Sequence, residues 1–116
     1  MAPGDRAALR KLVDEGNEEA ADRLASLAAG DGDTDTLKYL IESGNETAGD
    51  LLTELASARA DLATLEYLID NGVESAADKR AEIAAEQGDA VTLQRLADEG
   101  SKVAENLVSR VIDESS

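Results

Sequence analysis

A 28-residue period is the feature that most constrains how this chain folds. It divides residues 5–32, 33–60, 61–88 and 89–116 into four repeats and leaves 1–4 as an N-terminal extension. Such a period is typical of repeat architectures, in which each repeat buries its apolar face against its neighbours. It predicts a single helical-repeat domain over residues 5–116. We call the four equivalent positions, one from each repeat, a column. Five columns hold a single residue type: Asp5, Asp33, Asp61 and Asp89; Leu9, Leu37, Leu65 and Leu93; Leu12, Leu40, Leu68 and Leu96; Gly16, Gly44, Gly72 and Gly100; and Ala20, Ala48, Ala76 and Ala104.

Each repeat has the pattern of a helical hairpin. The first helix is expected to run from the invariant Asp, a preferred N-cap, to the invariant Gly, which suits the left-handed residue that ends a helix. Leu37, Leu40 and Ile41 have the spacing of one buried helix face. The second helices are predicted to begin near Asn17, Asn45, Val73 and Ser101. Because no stretch alternates with period two, we expect an all-α fold, a right-handed α-solenoid of four helix-turn-helix repeats with about eight helices.

Two segments, residues 56–72 and 84–100, resemble the two-helix core of an ankyrin repeat; they read ASARADLATLEYLIDNG and AAEQGDAVTLQRLADEG. A 28-residue repeat leaves no room for the ankyrin β-hairpin, and the Thr-Pro-Leu-His signature is absent. The stretch 44–48, followed by Leu51 and Leu52, is similar to the helix start of short tetratricopeptide-type repeats. These resemblances imply a module that binds other proteins, by analogy of fold. A natural and a designed repeat protein both remain open.

Composition excludes several classes of function. The chain has 11 Lys and Arg against 26 Asp and Glu, a net charge of −15, which argues against direct binding of nucleic-acid phosphates. It has no Cys and no His, so the usual thiolate ligands and general bases are missing. We therefore expect no enzyme, no catalytic residue and no cofactor. Without a membrane-length apolar run or a signal-peptide pattern, we expect no membrane association and a cytoplasmic location.

One acidic segment superficially matches a calcium-binding loop. Aspartates alternate over residues 31–35, and Glu42 follows eleven positions after Asp31. The sixth position is Thr36, where such a loop needs Gly for its sharp turn. Asp33 is also explained as a helix cap, so we predict no metal site.

Two sets of side chains are candidates for partner binding. The acidic columns favour solvated faces, or adaptation to high salt, and alternatively a ribbon that docks a basic partner. They comprise Asp14, Glu42, Asp70 and Asp98 on the first helices and Asp22, Asp50 and Asp78 on the second. The second set is a column that contains both tyrosines of the chain, Lys11, Tyr39, Tyr67 and Arg95. It is expected either to pack between repeats or to form a small binding face, since Tyr and Arg are enriched at binding hot spots.

These features predict a non-catalytic interaction module or scaffold that binds another protein. The alternative is an acidic nucleic-acid mimic that blocks a basic DNA- or RNA-binding protein, whose binding would weaken steeply with salt. Arg80 replaces an apolar residue in the column of Leu24, Leu52 and Val108. We expect its stem to pack and its head to extend to a carboxylate, with a partner contact as the alternative.

The last repeat shows no obvious polar cap in sequence. Its second helix contains Val103, Leu107, Val108, Val111 and Ile112. Terminal repeats normally need a polar outer face, because no neighbour covers them. The pattern therefore predicts a homodimer that pairs through the terminal repeats, with residues 101–112 in the contact.

Overall fold

The computed structural model describes residues 3–115, with side chains over residues 6–113. Within residues 3–115 there are eight helices and no strand, which confirms the all-α fold and the number of helices. None of these helices is long and apolar enough to span a bilayer. The helices are α1 Pro3–Asp14, α2 Glu18–Asp31, α3 Thr34–Glu42, α4 Glu46–Arg59, α5 Leu62–Asp70, α6 Glu74–Glu86, α7 Ala90–Asp98 and α8 Lys102–Ser115.

The first helices of the last three repeats begin with the same two-part cap. One oxygen of Asp33 accepts the backbone N–H of Thr36 at 3.1 Å, and the other accepts its hydroxyl at 2.6 Å. Asp61 with Thr64 and Asp89 with Thr92 repeat this geometry. The predicted cap at Asp5 is wrong, because α1 begins two residues earlier. Proline at 3 suits the first helical turn, where a backbone N–H has no intrahelical partner.

The turn inside each hairpin has the predicted geometry. Gly44 has φ +95°, its N–H donates to the carbonyl of Ile41 at 2.9 Å, and that of Asn45 donates to Leu40 at 2.9 Å. This pair of bonds closes the end of α3. The second helices then begin where predicted, and Asn17, Asn45 and Ser101 each accept the N–H three residues on. The N-cap of α6 is Val73, which forms no side-chain cap.

The chain divides into two compact units, Met1–Leu55 and Ala56–Ser116. In the first unit α2 packs against α1 and α3; in the second α6 packs against α5, α7 and α8, and α7 packs against α8. The invariant leucines from repeats two to four form the cores, since all six are at most 1% exposed: Leu37, Leu40, Leu65, Leu68, Leu93 and Leu96. The two leucine columns therefore set how the hairpins of repeats two to four pack.

One face of the second helices is lined by small residues, which we call the stacking stripe. In α6 it consists of Ala77, Ala81, Ala84 and Ala85, which pack into a cluster with Leu93 and Leu96 of α7 and with α8. The same columns are buried or half-buried in α2 and α4. Small side chains allow close approach of helix axes. The α2 residues are Ala21, Ala25, Ala28 and Ala29, and the α4 residues are Gly49, Thr53, Ala56 and Ser57.

The stacking stripe is replaced in α8. Its columns are occupied by Glu105, Ser109, Ile112 and Asp113, all exposed. Val108 and Val111 face the core cluster instead, and Val103 and Leu107 are half-buried against it. The premise of the predicted homodimer through residues 101–112, a last repeat without a polar outer face, is therefore wrong. Most of the apolar residues lie on the inner side of an amphipathic helix, and the outer side carries the polar ones.

Candidate functional site

The column of Lys11, Tyr39, Tyr67 and Arg95 contributes side-chain contacts between successive repeats. We call such a contact a joint. The hydroxyl of Tyr39 donates to a carboxylate oxygen of Asp14 in the preceding repeat, and the guanidinium of Arg10 lies 4.2 Å from the ring centroid. The hydrogen bond to Asp14 raises the pKa of Tyr39, because ionisation would remove the donated proton and place two negative charges together. This tyrosine is therefore engaged within the fold.

Arg95 forms the equivalent joint in the second compact unit with a charged group. Its Nη2 donates to Oε2 of Glu66, in the preceding repeat, at 2.5 Å, and its Nη1 donates to Glu99 at 3.3 Å. The hydrogen bond to Glu66 raises the pKa of Arg95, since it stabilises the charged form. As in the first unit, the column reaches back to a carboxylate of the preceding repeat.

Arg80 shares that carboxylate. Its Nε lies 3.4 Å from the same oxygen of Glu66. The predicted contact of its head with a carboxylate is present, but the residue is only 7% exposed, so its charge is buried beside Glu66. The joint in the second unit is thus a three-residue ionic cluster of Glu66, Arg80 and Arg95.

Lys11 stands apart from the other charged residue of its column. It is exposed, and no carboxylate among side chains 6–113 lies within ion-pair distance of it. Tyr67, in the same column, is half-buried. Tyr39 and Arg95 both bond a carboxylate of the preceding repeat. Lys11 lies at the equivalent position of the first repeat, so it is placed to bond a carboxylate of a docked partner.

The leucines beside Lys11 are also exposed relative to their counterparts. Leu12 is 40% exposed, whereas Leu40 and Leu68 are 0% and Leu96 is 1% exposed. Leu9 is half-buried, although every other leucine of its column is fully buried. In α7 the equivalent leucines are buried in one cluster with Ala81 and Ala84 of the α6 stacking stripe and with residues of α8. We call the surface formed by Leu9, Lys11 and Leu12 the α1 face.

The acidic columns contribute to the joints as well. Asp22 accepts a hydrogen bond from the Asn45 side chain at 2.9 Å, and this bond, with one from Thr47, lowers the pKa of Asp22. Asp78 accepts one from the Ser101 hydroxyl at 3.3 Å. Glu42, Asp50 and Asp70 are exposed, and Asp98 accepts from Gln94 at 3.0 Å. The acidic residues are therefore not a uniform solvated face.

A polar cleft of about 510 Å³ lies in the first unit between the hairpin turns of repeats one and two. A Gly-Asn-Glu tripeptide borders it twice, at residues 16–18 and 44–46, and the Asp22–Asn45 hydrogen bond joins its walls. Sequence reasoning missed the cleft, because it depends on how two turns are placed side by side. The repeated tripeptide was the available signal.

No group of three or more potential acidic metal ligands lies together among the described residues. In the segment that resembles a calcium loop, Asp33 is occupied by its cap and by Arg6, whose Nη1 lies 3.2 Å away. The two bonds from Thr36 are the main cause that lowers the pKa of Asp33. This carboxylate is committed to the start of α3.

Protein-family models, curated proteins and solved structures give no match to this chain. The α1 face has an apolar centre in Leu9 and Leu12 and a cation at its edge in Lys11. An apolar centre with a polar rim is typical of protein–protein contacts.

Proposed function

We propose that this protein is a non-catalytic helical-repeat module that binds another protein through the α1 face. The observation that carries the proposal is the 40% exposure of Leu12, when the equivalent leucines of the other three repeats are at most 1% exposed. In α7 the corresponding surface is an interface with the preceding repeat. The α1 face thus has the chemistry of an interface and no described neighbour to cover it.

The geometry of the internal interfaces indicates what the partner presents. Leu93 and Leu96 share one buried cluster with the small side chains of Ala81 and Ala84. The partner should therefore offer a helix with small residues on one face, three or four positions apart. It should also carry a carboxylate near Lys11, because both Tyr39 and Arg95 bond a carboxylate from that column.

The arrangement of the acidic residues favours this module over the nucleic-acid mimic. Asp14, Asp22 and Asp78 accept hydrogen bonds from the chain's own side chains, so they are not arranged as a continuous row for a basic partner. Ionic strength separates the two functions. Binding centred on Leu12 persists at about 0.5 M salt, whereas contacts of a mimic with a basic protein weaken steeply over that range.

The experiment compares Leu12→Glu with the matched control Val91→Glu. Val91 is 82% exposed on α7, so the control adds the same charge at a surface outside the α1 face. Proteins captured by the wild-type chain are identified, purified and titrated against each variant. We expect at least one partner that binds the control like wild type and binds Leu12→Glu at least tenfold more weakly, the loss expected for a central interface residue, about 1.4 kcal/mol.

Lys11→Glu is a second test of the α1 face. It should weaken the same partner less than Leu12→Glu does, because exposed charge pairs contribute less than buried apolar contacts. Equal affinity of wild type and Leu12→Glu for every purified partner contradicts the proposal.

A further inference from the structure

We infer that the fourth repeat is a closing repeat, in which Glu105 and Asp113 prevent another helical repeat from docking on α8. Both residues lie on α8, away from the α1 face. They neither form the core nor belong to the candidate binding columns.

The stacking stripe has different residues in α8 than in α6. In α6 three alanines four residues apart, Ala77, Ala81 and Ala85, pack at the contact with the following repeat. In α8 the same three columns hold Glu105, Ser109 and Asp113, all exposed. The replacement is confined to the one second helix that has no following repeat within the described residues.

Charge and volume both oppose docking on this surface. The helices that receive a stacking stripe present leucines, such as Leu93 and Leu96. Docking such a helix on α8 would bury the carboxylates of Glu105 and Asp113 against aliphatic side chains, and their desolvation would cost free energy. Glutamate and aspartate are also much larger than alanine at positions where helix axes approach closely.

Ile112 shows that the stripe is blocked and not removed. It occupies the column of Ala28, Ala56 and Ala84 and is 54% exposed. It lies one position before Asp113 and seven after Glu105, so the apolar residue is flanked by both carboxylates on the helix surface. Removal of the two charges should therefore leave an apolar surface fit for docking.

The test converts both carboxylates to the residue found in α2 and α6. Glu105→Ala with Asp113→Ala restores the alanines of the stripe, and Glu54→Ala with Glu86→Ala is the control. The control residues are exposed on second helices outside the stripe, and the control changes net charge by the same amount. Sedimentation velocity over a concentration series, at low and moderate salt, gives the oligomeric state of the full chain.

The expected occupant is the α1 face of a second copy, and this part of the test rests on the proposed function. Wild type and control should stay monomeric, and Glu105→Ala/Asp113→Ala should associate, more strongly as salt screens the charge repulsion between copies. A variant that remains monomeric at its highest soluble concentration overturns the closing repeat. Association of the wild type or the control to the same extent as the variant also overturns it.

Leu12→Glu, added to the alanine variant, separates the two proposals. If it restores the monomer, the α1 face is the surface that docks on the opened α8. If association persists, the closing repeat stands, because the opened stripe still binds a copy, and the α1 face fails as a docking surface. Circular dichroism of each variant verifies that the helices are retained.

Discussion

Two joints built from the same column show how differently the two compact units hold successive repeats together. In the first unit, Tyr39 uses a neutral hydroxyl to reach Asp14. In the second unit, Arg95 uses a guanidinium to reach Glu66, and Arg80 adds a second cation to that carboxylate. The column of Arg80 holds Leu24 in the first unit, which is 2% exposed.

The leucine columns, and not the joints, determine the hairpin. Leu37 and Leu40 in the first unit and Leu93 and Leu96 in the second are buried alike, although their joints differ in charge. The joints should therefore differ mainly in their response to mutation, salt and pH. The ionic cluster is the more vulnerable of the two, since the loss of Glu66 removes the carboxylate beside the buried guanidinium of Arg80.

The largest expected effect is the loss of Glu66. Glu66→Ala should destabilise the chain by about 2 kcal/mol, less than a fully buried ion pair would lose, because Glu66 is 36% exposed in its side chain while Arg80 is 8% exposed. Asp14→Ala in the first unit should cost less, because it leaves no buried charge. Denaturant unfolding of both variants measures the difference, and equal losses would show that the buried guanidinium of Arg80 does not make its joint more vulnerable.

Arg80→Leu restores the leucine found in the first unit. We expect a gain of about 1 kcal/mol in the free energy of unfolding, because Glu66 keeps Arg95 as its partner and the buried guanidinium is removed. Unfolding of the double variant Glu66→Ala/Arg80→Leu should show that the loss in Glu66→Ala is largely recovered. A loss above about 1 kcal/mol in Arg80→Leu alone would mean that its pair with Glu66 is net stabilising.

The turns after the second helices provide a matched pair with a smaller effect. Gly32 of the first unit has φ +69°, and Ala60, in the same column of the second, has φ +50°. Ala60→Gly should stabilise the chain by about 0.5 kcal/mol, since glycine relieves a left-handed strain of about 1 kcal/mol but loses more backbone entropy on folding. Gly32→Ala should shift the thermal midpoint the opposite way.

The smallest expected effect is a difference between the two joints in how their contribution to stability depends on salt. The destabilisation in Arg95→Met should shrink as salt rises, whereas that in Tyr39→Phe should not, because only the first removes an exposed ion pair. Melts in a salt series test this, and parallel responses would contradict it.

Alkaline pH should remove the stability that the hydrogen bond between Tyr39 and Asp14 contributes. Hydrogen bonding to Asp14 raises the pKa of Tyr39 above that in the unfolded chain. The resulting stability is present below about pH 10 and is lost as pH rises through the folded pKa. The difference in thermal midpoint between wild type and Tyr39→Phe should therefore close in strong alkali. A difference that stays constant would show that the bond does not shift the titration.

The hairpins were predictable because their signals are local. The Asp caps, the glycines that end the first helices and the leucine spacing each act within one helix or turn, so the 28-residue period was enough to locate them. The two-part cap with Thr36, Thr64 and Thr92 was visible as a column, but its second bond was not anticipated.

The surfaces were less predictable, because they depend on which neighbour faces each column. The number of apolar residues in α8 predicts an exposed apolar helix, but Val108 and Val111 belong to the core cluster. The sequence signal for the polar outer side is Glu105 and Asp113, in columns that hold alanine in α2 and α6. The binding column was ambiguous for the same reason, since the partners of Tyr39 and Arg95 lie 25 and 29 residues away.

The joint of Arg95 also makes the order of the repeats matter. Arg95 reaches the column of Glu66, and repeats one and two hold Arg10 and Lys38 in that column. Only the third repeat offers an anion there, so the fourth repeat placed after either of the first two would bring two cations together. Like charges at such a contact are destabilising. During folding, when hairpins of similar shape compete for the same neighbour, this mismatch would penalise a misordered pairing and favour the sequential one.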